Sequence, residues 1–100
     1  MNKVQLKQKI ETAKWFGMLT YDDEIFVSQD VDNVLRESQF ADNAEELLET
    51  NFFEDQGCYI IDEYAFTTGD TKSEVVKKLK KMISNVREVW SWLVQVNFRI

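Results

Sequence analysis

One hundred residues, 44% hydrophobic and 13% aromatic, can fill one core and are too few for two, which excludes a disordered chain. The net charge is −6 with no histidine and one cysteine, Cys58, so the commonest general base, the commonest zinc ligand and an internal disulfide are all missing. No run of about eighteen apolar residues and no charged-then-apolar leader occurs, which predicts a cytoplasmic protein with no membrane partner.

Val4, Leu6, Ile10, Ala13 and Phe16 recur at helical spacing and predict a first helix, with Lys3, Lys7, Lys9 and Lys14 outside and Gly17 as its C-terminal cap. Met18–Tyr21 and Glu24–Val27 flank Asp22-Asp23, the pattern of a short hairpin over 18–27, although Thr20 followed by Asp23 also suits the cap of a single helical turn. Ser28 or Asp30 then caps a helix carrying Val31, Val34 and Leu35. Asp42 with Glu45 starts another that carries Ala44, Leu47, Leu48 and Phe52.

Asp55-Gln56-Gly57 breaks that helix. Residues 58–67 follow, rich in aromatic and β-branched side chains with acids in the middle, and predict a strand. Gly69-Asp70 turns the chain into a capping box, Thr71-Lys72-Ser73-Glu74, and Val75, Val76, Leu79, Met82, Ile83 and Val86 make the apolar stripe of a helix over about 72–87. From Trp92 the period becomes two, since Trp92, Val94, Val96, Phe98 and Ile100 alternate with smaller or polar residues, so a strand near 90–100 is expected. The fold class is α+β, one domain over 1–100. Its small sheet has strands near 18–27, 58–67 and 90–100, with about four helices covering one face. The last two strands pair through a parallel crossover or in an antiparallel arrangement with the hairpin.

Chemistry is sparse. Gly17, Gly57 and Gly69 are isolated, so no phosphate-binding loop, dinucleotide fingerprint or serine elbow exists. Asp30-Val31-Asp32 begins like a calcium loop, but Val34 stands where a ligand belongs and no glycine follows at the turn, so no metal is expected there. Cys58 heads an apolar strand without a base to deprotonate it and reads as buried filler. Trp15, Trp90 and Trp92 read as core, and Lys77, Lys78, Lys80 and Lys81 as the solvated face of their helix.

Charge is segregated along the chain. Residues 21–70 hold fifteen Asp or Glu against a single base, Arg36, while residues 1–20 and 71–100 are each net positive. A small acidic chain without catalytic equipment is expected to bind a basic surface on another protein. Proteins that handle nucleic acid carry positive grooves, which an acidic protein can fill by imitating phosphate charge. Toxin-immunity proteins and phage anti-defence proteins, including anti-CRISPR and antirestriction proteins, are the classes with this physics, and the likeness is one of size and charge.

The expected function is therefore a non-catalytic, cofactor-free inhibitor whose partner is a basic protein that binds or cleaves nucleic acid, not nucleic acid itself. Its candidate contact residues are Asp22, Asp23, Glu24, Asp30 and Asp32, with Glu45, Glu46 and Glu49 beside a second acidic group that extends to Glu54 and Asp55. Two alternatives remain. One is a nuclease-like enzyme holding a metal through Asp62 and Asp70 with Lys72 nearby, and the other is a regulatory or structural subunit of a larger complex.

Overall fold

The computed structural model describes residues 3–83. The elements are α1 (Lys3–Thr12), β1 (Trp15–Leu19), β2 (Ile25–Ser28), α2 (Val31–Glu37), α3 (Ala44–Leu48), β3 (Phe53–Asp55), β4 (Cys58–Ile61), β5 (Tyr64–Gly69) and α4, helical over 72–83. The expected strand near 90–100, the helical residues beyond 83 and the parallel crossover lie outside the described residues, as do Trp90 and Trp92.

Five strands form one antiparallel sheet in the order β2-β1-β5-β4-β3, so the fold is α+β. The chain leaves β2 at one edge, crosses one face as α2 and α3, and returns at the opposite edge as β3. Period-two alternation then sorts the side chains. Phe16, Met18, Tyr59, Ile61 and Phe66 meet Leu6, Val34, Leu35 and Leu47 from α1, α2 and α3. On the other face, Leu19, Cys58 and Ala65 pack under Val75, Leu79 and Met82 of α4.

Helices therefore cover both faces, not one as expected from the sequence. Adjacent residues explain it: Ala65, Phe66, Thr67 and Thr68 are consecutive and all buried, and a strand buried on both sides needs cover on both. Thr67 reconciles its hydroxyl with full burial by donating to the Gly57 carbonyl at 2.8 Å.

Three element boundaries also differ from the sequence reading. The first helix ends at Thr12, and Gly17 is the middle of β1 instead of a helix cap. A strand there lets Phe16 and Met18 enter one core while Gly17 lies under α4, where a Cβ would come within 2.4 Å of Val75 Cγ1. The single strand expected over 58–67 is two strands folded at Asp62-Glu63, with Asp62 left-handed at φ 52. The acids mid-strand are a turn because charge is costly inside a sheet covered on both faces. Phe53–Asp55 is a further strand, joined to β4 by Gln56 (φ 52) and Gly57 (φ 84), two successive positive-φ residues of the kind a tight hairpin needs.

Helix starts follow the chemistry of caps. Asp30 caps α2 by accepting from Asp32 N, and Asn43, one residue after the expected Asp42, caps α3 by accepting from Glu46 N. At α4, Thr71 Oγ1 accepts from Glu74 N at 3.1 Å, the hydroxyl half of the box read from Thr71-Lys72-Ser73-Glu74, while Glu74 Oε2 reaches one residue further back and accepts from Asp70 N at 3.1 Å. No helix among the described residues is long and apolar enough to cross a membrane.

Candidate partner-binding surface

Two turns emerge at the same end of the sheet. Leu19 pairs with Ala65 and Ile61 with Tyr64, so the β1–β2 turn over 20–24 and the β4–β5 turn at Asp62-Glu63 are neighbours although forty residues separate them in sequence. Thr20 organises the first turn: its N–H donates to the Glu24 carbonyl at 2.9 Å, its Oγ1 accepts from Glu24 N at 3.1 Å, and it donates to the Asp22 carboxylate. Asp23 sits at φ 65 within this turn, which is a hairpin connection and not a helical turn. Aspartate tolerates that conformation better than most residues, so at Asp23 and Asp62 one residue type serves both the bend and the charge.

Asp22, Asp23, Glu24, Asp62 and Glu63 are all exposed. Glu37, from the last turn of α2, lines the same cleft as Asp22 and Glu24. Glu46 lines a neighbouring hollow with Asp62. Among the described residues no lysine or arginine lines either cleft or the groove described next, and Asp22, Glu24, Asp62 and Glu63 form no ion pair. Among the described residues, Asp22, Glu24, Asp62 and Glu63 thus gather at one end of the sheet with no lysine or arginine lining the clefts beside them.

Apolar surface accompanies it. A groove of about 500 Å³ on the α4 side is floored by Leu19, Ile60, Ala65 and Met82 and rimmed by Asp23, Asp55, Asp62 and Glu63. Tyr21 and Phe53, 66% and 62% exposed, also line it. The Tyr21 ring lies edge-on to Tyr64 at 6.2 Å, and Tyr64 edge-on to Phe40 at 5.0 Å, so the hairpin tip is tied to the start of β5 by edge-to-face ring contacts.

The remaining acids read from the sequence are placed elsewhere. Asp30 and Asp32 follow Ser28, at the far end of β2 from Glu24, and their carboxylates accept backbone N–H groups: Asp30 from Asp32 at 3.0 Å, Asp32 from Ala44 at 2.9 Å. The five acids between 22 and 32 are therefore divided between the two ends of β2. Glu45 and Glu49 are exposed on α3 and at its C-cap, and Glu46 accepts from Asp42 N at 3.1 Å. Glu37, Asp62 and Glu63 were missed as members of the acidic end. The signal for the last two was a pair of acids interrupting a run of strand formers.

Asp62 and Asp70 bracket β5, one before Tyr64 and the other after Gly69. A six-residue strand spans roughly 20 Å, so a single metal ion cannot bridge them and the Asp62, Asp70 and Lys72 constellation is not assembled. Cys58 is fully buried on the α4 side, its Sγ 3.9 Å from the Lys78 carbonyl, and burial pushes its thiol pKa up despite a hydrogen bond with Thr67 and the nearby Lys78 charge. Burial and a raised pKa both suit a packing side chain. Trp15, half-buried, packs into the same cluster.

Of the helix-face lysines, Lys77, Lys80 and Lys81 are exposed as expected, but Lys78 folds back. Its Nζ donates to the Thr68 carbonyl at 2.9 Å and lies 3.5 Å from Glu74 Oε1. The hydrogen bond from Asp70 N, with Lys78 beside it, lowers the Glu74 pKa.

No protein-family model, curated protein or solved structure matches the chain.

Proposed function

We propose that this protein is a non-catalytic inhibitor that binds a basic, nucleic-acid-handling protein through the acidic end of its sheet. The observation that supports it most is the convergence of the Asp22–Glu24 and Asp62-Glu63 turns, with no lysine or arginine among the described residues lining the clefts between and beside them. Exposed carboxylates contribute little to folding and repel one another. They raise the encounter rate with a positive groove and compete there with phosphate. Such a partner belongs to the toxin, restriction or guide-RNA effector classes, whose grooves neutralise nucleic-acid phosphates.

The test begins with capture of the partner from the source cell and its identification, followed by association kinetics. Replacing Asp22 and Asp62 by Asn and Glu24 and Glu63 by Gln is expected to leave the fold intact and slow association. Raising salt from about 50 to about 500 mM is expected to slow the wild type in the same way, because the Debye length contracts several-fold. An unchanged rate in the neutralised protein, with unchanged salt dependence, removes the acidic end from the interface.

A further inference from the structure

Val4, Tyr21 and Phe53 are the large hydrophobic side chains most exposed among the described residues, and two of the three line one groove. The same groove has an apolar floor and a rim of carboxylates, with no basic side chain among the described residues lining it. An apolar floor alone would accept any hydrophobic segment, and a carboxylate rim alone any cation. Together they fit a side chain with a long aliphatic stem and a delocalised cationic head. Arginine is that side chain: its stem lies on apolar surface, its guanidinium stacks on aromatic faces, and its fork engages carboxylates in pairs.

We propose that the groove receives an arginine on an otherwise apolar loop of the partner protein, with the stem over Leu19 and Ile60 and the guanidinium between Asp62, Glu63 and the Tyr21 ring. Phe53 packs beside it as the apolar anchor. Arginine and tyrosine are enriched among the residues that dominate binding energy at protein interfaces, and the apolar surround excludes the water that would otherwise screen the pair. Lysine, a compact hydrated charge, uses the carboxylates but neither the fork nor the ring as well. This inference rests on the basic-partner reading and adds the chemistry of the contact.

The test uses the full chain, isotope-labelled for nuclear magnetic resonance, and a synthetic peptide of alternating leucine and arginine, with a leucine–lysine peptide of equal length as comparison. Chemical shifts of Tyr21, Phe53, Ile60 and Asp62 are expected to move on titration, with weaker binding of the lysine peptide. Phe53→Ser and, separately, Asp62→Asn with Glu63→Gln are each expected to weaken the arginine peptide by about tenfold, the order of losing one anchor. Circular dichroism checks that each variant is folded, and Asn at position 62 suits the left-handed backbone there.

Four outcomes overturn the inference: no binding by the wild type, shifts confined to other surfaces, equal affinity in both sets of folded variants, or contacts in the unbound protein from Phe53 to residues 84–100 or to a second copy. Capture of the natural partner separates the two levels of the proposal. If Asp22→Asn with Glu24→Gln loses capture while the groove variants keep it, the arginine contact fails and the basic-partner reading stands. If neither set matters, both fail.

Discussion

Gly17 lies directly beneath Val75: a Cβ built on Gly17 would stand 2.4 Å from Val75 Cγ1 and 2.9 Å from Leu79 Cδ1. The sheet and α4 approach this closely only because position 17 has no side chain. Gly17→Ala is therefore expected to destabilise the fold by ~1–3 kcal/mol, since Val75 is β-branched and cannot swing aside cheaply. Urea denaturation reads it, and a change within about 0.5 kcal/mol would mean that α4 sits further from β1 than described.

Leu79 is fully buried on the same face, between Cys58, Ala65 and Met82. Leu79→Ala should cost about 2–5 kcal/mol in the same measurement, as for other buried leucines. A surface-sized effect would uncouple α4 from the sheet.

Cys58 should react with a thiol reagent far more slowly in the native protein than in urea, because burial hides the sulfur and holds its pKa up. A raised folded pKa gives stability that is complete below the unfolded thiol pKa and declines as pH rises through the folded one. Stability of the wild type should therefore fall on the alkaline side relative to Cys58→Ala. Native-state labelling as fast as in urea would contradict the burial.

At the start of α4 the sign is reversed. The Asp70 N–H and Lys78 lower the Glu74 pKa from its ordinary 4.5, so the stabilisation is present above that value and lost as pH falls through the lowered one. Replacing Glu74 by Gln should lower stability at neutral pH, where the charged carboxylate contributes, and change it little in acid, where Glu74 is protonated, so that the acid limb flattens. An acid limb identical in both proteins would show that the bonds at the α4 start are not formed in solution.

Asp30 separates capping from binding. Asp30→Ala is expected to cost ~0.5–2 kcal/mol through loss of the α2 cap, yet to leave association with a captured partner at the wild-type rate. Asp22→Asn should do the opposite. Slower association in Asp30→Ala at full occupancy of the folded state would return the 22–32 segment to the interface as a unit.

Much of the local structure is legible in the sequence. The Thr71 cap of α4, a cap at Ser28 or Asp30, the helices through Val34-Leu35 and Leu47, the hairpin at Asp22-Asp23 and the burial of Cys58 all follow from short-range rules, because a cap or a stripe is decided by residues within a turn or two. Failures came where period alone was ambiguous. Ala13 and Phe16 extend a helical stripe as well as they begin a strand, and Asp62-Glu63 inside a strand-forming run looks like an exposed face until the pairing of Ile61 with Tyr64 makes it a turn.

Charge segregation, the lack of histidine and the α+β class were readable from the residues alone, since these are properties of composition and local pattern. Which acids stand together was decided only in three dimensions. Antiparallel pairing of β1 with β5 carries Glu24 and Asp62 to one end of the sheet, while Asp30 and Asp32, nearer in sequence, are turned to the other end, where each accepts a backbone N–H. Strand pairing between distant segments sets that geometry, and its energy depends on which faces α4 and α1–α3 bury. No window of neighbouring residues contains that information.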